Sequence, residues 1–416
     1  MTLAAELAER FGAPLYIYDL DRVTAARDGL LAALPEGFGL YYAIKANPHP
    51  DMARALREGP GRGCRAEISS AGELQVALDA GYLPADCLYT GPGKTDTELA
   101  GAISAGVRTF SVESPSDLRH VGAMAARQHV VADCLVRVNS PAASGSTGIR
   151  MMGRPSQFGI DSETLTDVLP ELMRVPGVRV AGAHFYTMSN ATEEDGLLAE
   201  YARVIEVAAG LERDTGLPLE LLDIGGGFAA PYAAPGVRTP YPRLRQELTR
   251  ILDKHLPAWR TGSPRLACES GRYLVAESGT LASRVVNIKD SHGSRFIVLD
   301  AGINALGGLS GLGRLLPTAV QIDSPEETTQ SASLVGPLCT PGDILGRDVS
   351  LPPLHPGDLV TIPNVGAYGL TASLLAFLGR PAPIEVTIRG REVVSASRLE
   401  QRRSYASGPG AWAATR

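Results

Sequence analysis

A chain of 416 residues exceeds what one small core supports and suits a large domain with a smaller companion. With 44% hydrophobic residues, 20% charged residues and a formal net charge of −6, it has a soluble globular make-up and lacks the basic balance that nucleic-acid binding needs. No apolar run reaches the roughly 18–20 residues that cross a bilayer, "MTLAAELAERFG" has no secretion-signal layout, and five scattered cysteines without a CxxC pair read as a reduced, cytoplasmic chain with no structural zinc.

Taken in chain order, short apolar runs recur and each is followed by a polar or glycine-rich turn. They are "GLYYAIKA" (39–46), "CRAEISS" (64–70), "CLYTGPG" (87–93), "RTFSVES" (108–114), "CLVRVNS" (134–140), "VRVAGAHFYT" (178–187), "LELLDIGGG" (219–227) and "RLACESG" (265–271). Between most of them lie stretches with helical spacing, such as "SSAGELQVALDAGY" and "LLAEYARVIEVAAGLERDTG". Strands that alternate with helices predict a parallel sheet, and eight such units fit a closed (β/α)8 barrel over 31–275, with an open doubly wound sheet as the alternative. After residue 275 the strand-like runs "ASRVVNIKD", "SRFIVLDAG", "GDLVTIPNVGAYG" and "APIEVTIRGREVVSAS" lack long helices between them. They predict an all-β domain over 276–405, joined by "PLYIYDL" from the first 30 residues. The small, polar residues 406–416 read as a disordered tail.

Barrel chemistry gathers where strands end, and Lys45 stands at the end of the first. Burial there would disfavour its ammonium form and free the lone pair for imine formation with a carbonyl. A lysine whose stem packs on the strand while its head reaches water is the plainer reading. The seventh run ends in "LDIGGGF", whose Gly225, Gly226 and Gly227 expose backbone N–H groups suited to a phosphate. The eighth leads into "ESGRYLVAESG", with an acid, a glycine and an arginine at the rim. Tight turns use glycine too, so either run alone says little. A lysine nucleophile beside a phosphate cradle points to pyridoxal 5′-phosphate (PLP).

With these motifs in this order, the chain resembles the fold-type III PLP-dependent decarboxylases, the group of the diaminopimelate and ornithine decarboxylases, built like alanine racemase from a barrel and a β domain. The likeness runs from "GAPLYIYDLDRV" to "GAYGLTAS". It implies that Lys45 in "YYAIKANP" carries the cofactor and that Glu67 in "AEISSAGEL" lies near that lysine. It implies that His184 stacks on the ring, that Ser189, Gly225–Gly227, Gly271, Arg272 and Tyr368 serve the phosphate, and that Glu269 meets the ring nitrogen. Arg272 is also a candidate for the substrate carboxylate. Ser270 stands where the family usually has proline. In "GPLCTPGD" the resemblance makes Cys339 a group delivered from a partner subunit to the carbon that is protonated after carbon dioxide leaves, with Asp343 lining the site. A homodimer with shared active sites follows. A cysteine is otherwise a small buried hydrophobe.

Three departures bear on substrate. Diaminopimelate decarboxylases read "CES" where Thr340 stands in "CTP". Their arginine–tyrosine stretch is replaced by the glycine-rich 300–320, with a lone Arg314. His184 and Ser189 are two residues further apart. The combination is similar to a branch that decarboxylates glutamyl groups held as thioesters on an acyl-carrier protein, as in butirosin biosynthesis, although Met188 replaces a common glycine. The resemblance therefore implies an acidic aminoacyl donor on a carrier protein, with Arg314, Thr340, Asp343 and Arg272 facing substrate. An acidic carrier calls for a basic docking face, for which Arg402 and Arg403 are candidates; a surface arginine is more often simply solvated. Free diaminopimelate or another diamino acid is the alternative substrate. A racemase on the same barrel is disfavoured by "CTPGD", and a PLP-binding protein without catalysis by the β domain. A zinc or flavin barrel is disfavoured because the seven histidines form no spaced ligand pair.

Overall fold

The computed structural model describes residues 2–59, 63–140, 149–150, 155–307, 320–323 and 328–405. A first strand, β1 (Leu15–Asp19), precedes eight parallel strands. These are β2 (Gly39–Ala43), β3 (Arg65–Ile68), β4 (Cys87–Tyr89), β5 (Thr109–Val112), β6 (Ala132–Asn139), β7 (Val178–His184), β8 (Leu221–Asp223) and β9 (Arg265–Ser270). Each pairs with the next, and β9 returns to β2 through Ala267↔Gly39, so the sheet closes. The open-sheet alternative is thereby excluded. All eight runs read from the sequence supply a barrel strand, because a strand buried on both faces is a near-continuous apolar run. Tyr41, Leu88, Leu135, Leu221 and Ala267 form their own buried cluster from five of these strands and fill the barrel axis.

The outer helices begin at side-chain caps. Asp19 accepts from the N–H groups of Asp21 and Arg22 ahead of α1 (Leu20–Ala33). Thr95 and Glu98 form a reciprocal capping box on α2 (Asp96–Ala105), which Gly106 closes with left-handed backbone. The longest helix among the described residues, α3 (Glu194–Thr215), turns Leu197, Tyr201, Val204, Ile205 and Ala208 inward at three- and four-residue spacing.

The second sheet runs β13–β12–β11–β10–β1–β15–β16. Here β10 is Gly279–Ser291, β11 Ser294–Leu299, β12 Gln330–Val335, β13 Ile344–Leu351, β15 Ile384–Arg389 and β16 Glu392–Arg398. A further strand, β14 (Leu359–Ile362), pairs with β10. The N-terminal β1 lies antiparallel to β10 and parallel to β15. Two of these strands, β12 and β13, were not legible in sequence. Half of Gln330–Val335 is polar, and β13 carries "GRD" with Asp348 at φ 51°, which breaks the alternation that marks a strand. Residues 308–319, including Arg314, and the tail 406–416 lie outside the described residues.

The two parts meet beside Lys45. Asn47 donates its side-chain amide to Gly366 O at 2.8 Å, and Tyr368 N–H donates to Ala46 O at 2.7 Å. Asp51 of the barrel accepts from Thr387 and Ser395 of the sheet. Nearby, Tyr18 donates to Glu385 at 3.0 Å across the β1–β15 pair. Burial pushes the Glu385 carboxyl up to about 7 from its ordinary 4.5. The folded state thus holds this proton more tightly than the unfolded chain does. Its contribution is complete below pH 4.5 and is lost as pH rises through about 7. Glu385→Gln, which keeps an acceptor for Tyr18, is expected to be up to about 3 kcal/mol more stable than the parent at pH 8 when the two are matched at pH 4, read from urea unfolding.

Candidate active site

The C-terminal ends of the barrel strands present one candidate side chain after another. Lys45 comes two residues after β2, on a single 3-10 turn (Ile44–Ala46) rather than on the strand itself, where the sequence reading had put it. Buried Ile44 and Ala46 pin this turn, and Tyr42 Oη donates to Asn47 O at 2.6 Å. The amine donates to Glu67 Oε2 at 2.6 Å. Glu67, on β3, also accepts from Thr90 just beyond β4. The Lys45 side chain keeps 41% of its surface accessible, whereas that of Glu67 keeps 2%. Despite that open side, the surrounding walls make desolvation the strongest influence on the amine, and it favours the neutral form. Glu67 and then Glu269 act against it and together hold the amine above its ordinary range. The sequence reading expected burial to win and release the lone pair. The two carboxylates reverse that sign in the protein as it stands.

His184 ends β7, where parallel register sets it opposite Arg137 of β6 and Asp223 of β8. Its Nδ1 lies 2.6 Å from Ser111 Oγ on β5. Its Nε2 lies 3.1 Å from Glu269 Oε1, and among the described residues neither atom completes a hydrogen bond. Burial works to raise the Glu269 carboxyl, but His184, Lys45 and Arg137 outweigh it and hold it below the ordinary value. Glu269 is therefore an ionised carboxylate, 2% exposed.

The glycine run turns directly after β8. Gly225 has φ 76°, and a Cβ there would meet Phe185 O at 2.3 Å. A Cβ on Gly226 would meet Glu269 O at 2.8 Å, so this backbone passes against β9 with no room for a side chain. Ser189, Gly227, Glu269, Gly271, Arg272 and Tyr368 line one cleft. The Arg272 guanidinium lies 5.0 Å from the Tyr368 ring and 5.4 Å from that of Tyr232. A roomier hollow, lined by Arg57, Arg65, Tyr82 and Arg265, lies at the other end, where the strands begin, and holds none of the functional side chains named above.

Two residues of this site were missed in sequence. Arg137 is 6% exposed, pairs with Glu113 at 3.0 Å and lies 4.6 Å from the Phe158 ring. An arginine inside the apolar "CLVRVNS" carries the same signal that singled out Lys45. Asp223 is fully buried and accepts from Gly225 N–H at 2.9 Å. It was passed over as the acid before a glycine turn. The predicted Cys339, Thr340 and Asp343 do not join the cleft within one chain. They sit on the β12–β13 connection, with Cys339 exposed. Both carboxylate oxygens of Asp343 are engaged by backbone, accepting from Ile303 N–H at 2.8 Å and Leu338 N–H at 2.7 Å. Among the described residues no helix is long and apolar enough to cross a membrane.

A family model for the pyridoxal binding domain of pyridoxal-dependent decarboxylases matches residues 20–276. The chain belongs to this family. The decarboxylase is 31% identical to the L-glutamyl-[BtrI acyl-carrier protein] decarboxylase of Niallia circulans over 92% of this chain and 90% of that protein. It is 30% identical to the diaminopimelate decarboxylase of Zymomonas mobilis over 93% of this chain and 90% of the other. The crystal structure of diaminopimelate decarboxylase from Helicobacter pylori complexed with L-lysine superposes with a TM-score of 0.80 at 26% identity, covering 96% of each chain.

PLP is the cofactor of this decarboxylase, and the residues present fit it. Glu269 Oε1, Arg272 Nε and Ser270 Oγ are buried and have no hydrogen-bond partner among the described residues. A protonated ring nitrogen and a phosphate are groups that would satisfy such atoms. His184, Asp223 and Glu269 also place donor atoms within 4.8 Å of one another, a spacing that metal sites use. A strand-end lysine and a glycine run beside them make a pattern that PLP chemistry uses.

Glu67→Gln removes the largest upward influence on Lys45. In cofactor-stripped protein, reductive methylation of Lys45 at pH 8 is expected to speed up by about tenfold or more, followed by peptide mass analysis. An unchanged rate would show that Glu67 does not control this amine.

Proposed function

We propose that this PLP-dependent decarboxylase removes the α-carboxylate of an acidic aminoacyl group, glutamyl or aspartyl in type, carried as a thioester on an acyl-carrier protein. One observation carries the reading: the turn that follows Leu338 has no free carboxylate for the distal ammonium of a diamino acid. The position after Cys339 is the neutral Thr340, and Asp343 has both oxygens engaged by backbone N–H groups. The likeness to the carrier-protein decarboxylase of Niallia circulans supports the same choice.

In this reading Lys45 would anchor PLP beside the end of β2, with Glu67 keeping the amine in place. Gly225–Gly227, Ser189, Gly271, Arg272 and Tyr368 would hold the phosphate, and His184 would cover the ring. Glu269, ionised and buried, would accept the N–H of the ring nitrogen. When bound, PLP supplies the electron sink for the pair left on the α-carbon as carbon dioxide departs. Buried walls around Glu269 and His184 keep water from that face. Lys45, or Cys339 from a partner subunit, then returns a proton to the α-carbon. The exposure of Cys339 in a single chain suits delivery to a second copy, so the working unit is a twofold dimer with two shared sites.

Release of carbon dioxide should be measured from carrier-bound glutamate and aspartate beside free diaminopimelate, ornithine, lysine and glutamate. The carrier-bound acidic donors are expected to turn over and the free diamino acids to lag by about a hundredfold or more, the scale set by a charged group left unmatched. Efficient turnover of free diaminopimelate would overturn the substrate assignment.

Cys339→Ala is expected to keep PLP bound while losing turnover. Mixed in equal amounts with inactive Lys45→Ala, it should recover about a quarter of parental activity through heterodimers with one intact site. No recovery after confirmed subunit exchange would remove the shared-site arrangement.

A further inference from the structure

Asp223 has no role in the mechanism above, yet it is as deeply placed as any group in the site. Its side chain is fully buried at the end of β8. Oδ1 accepts from Gly225 N–H at 2.9 Å, and Oδ2 finds no hydrogen-bond partner among the described residues. A carboxylate oxygen of Asp223, a ring nitrogen of His184 and a carboxylate oxygen of Glu269 all lie within 4.8 Å of one another.

Two carboxylates this close in a dry volume do not both ionise without cost. Their surroundings decide which one keeps the proton. Around Asp223 stand His184 from β7, Glu269 and Cys268 from β9, Glu67 from β3, Tyr41 from β2 and Tyr201 from α3. Of these His184 is the one cationic candidate. Glu269 has His184 and, in addition, Lys45 and Arg137. The positive field therefore falls on Glu269.

We propose that Asp223 is a positioning residue for the cofactor: one oxygen sets the Gly225 turn that begins the phosphate cradle, and its carboxyl keeps the proton so that Glu269 stays ionised for the ring nitrogen. Burial first, and then Glu269, pushes Asp223 up to about 7, in line with this division. One buried group thus ties the phosphate end of the site to the ring-nitrogen end, through four residues of chain, Asp223 to Gly226.

The test compares PLP dissociation constants of cofactor-stripped parent, Asp223→Asn and Asp223→Ala between pH 6 and pH 8.5. PLP itself is the titrant and protein fluorescence the readout. Above pH 7 the parent must take up a proton at Asp223 to bind, so its affinity should fall by up to about tenfold per pH unit beyond any slope common to all three proteins. Asp223→Asn keeps an acceptor for Gly225 and mimics the protonated carboxyl. It should bind within about threefold of the parent at pH 6 and lose the extra slope. Asp223→Ala should bind about tenfold more weakly than Asp223→Asn at every pH, because the Gly225 N–H is left unpaired. Equal slopes for parent and Asp223→Asn would overturn the proton-holding role. Equal affinities for Asp223→Ala and Asp223→Asn would overturn the role in the turn. If Asp223→Ala does not fold, the slope comparison with Asp223→Asn still decides the first point.

Discussion

Charge confined in a nearly dry barrel mouth is the constraint from which the rest of this site follows. Lys45, Glu67, Glu269, Asp223, His184 and Arg137 converge from the ends of separate strands, and the interior gives little water to screen them. Apart from Lys45, whose side chain is 41% accessible, none is tolerable alone at that depth, and each is made so by its neighbours. Glu67 holds the Lys45 ammonium at 2.6 Å, Glu113 holds Arg137 at 3.0 Å, and Glu269 is kept ionised by cations on two sides. This balance, rather than burial by itself, sets which groups carry protons.

The scaffold exists to hold that balance still. A closed barrel leaves no free edge, and its axis is filled by side chains, so the strand ends cannot shift relative to one another without opening a packed core. The β domain adds a second restraint. The 364–369 segment reaches over the barrel and ties to the Lys45 turn through Asn47 and Ala46. Tyr368, with φ 52°, enters the cleft from that segment and stands near Arg272. The turn that carries Lys45 is thus clamped from both parts of the chain.

The connection bearing Cys339 obeys a different logic. Asp343 spends both oxygens on backbone N–H groups, and a Cβ on Gly302 or Gly336 would run into its carboxylate. The outcome is a rigid turn that presents Cys339 outward. On the proposed shared-site reading, that outward thiol would serve the cleft of a second copy.

Much of this was legible in the sequence because its causes are local. Doubly buried strands read as apolar runs, turns declare themselves by glycine, and a lysine or arginine inside such a run stands out. The eight barrel strands, the N-terminal strand of the β sheet, and Lys45, Gly227, Glu269, Gly271 and Arg272 were found this way; Ser189 and Tyr368 came from the family resemblance, and Tyr186 and Phe228, which also line the cleft, were not found. Strands β12 and β13 were not, because their sequences do not alternate and their pairing rests on partners far along the chain. The sign of the Lys45 shift and the part played by Asp223 were beyond reach for a related reason. An ionisation state in a shared cavity is the sum over groups from many strands, including Glu67, Glu269 and His184, and only closure of the barrel brings them within a few ångströms. Pattern along the chain determines which elements form; distance across the fold determines which of their charges survive.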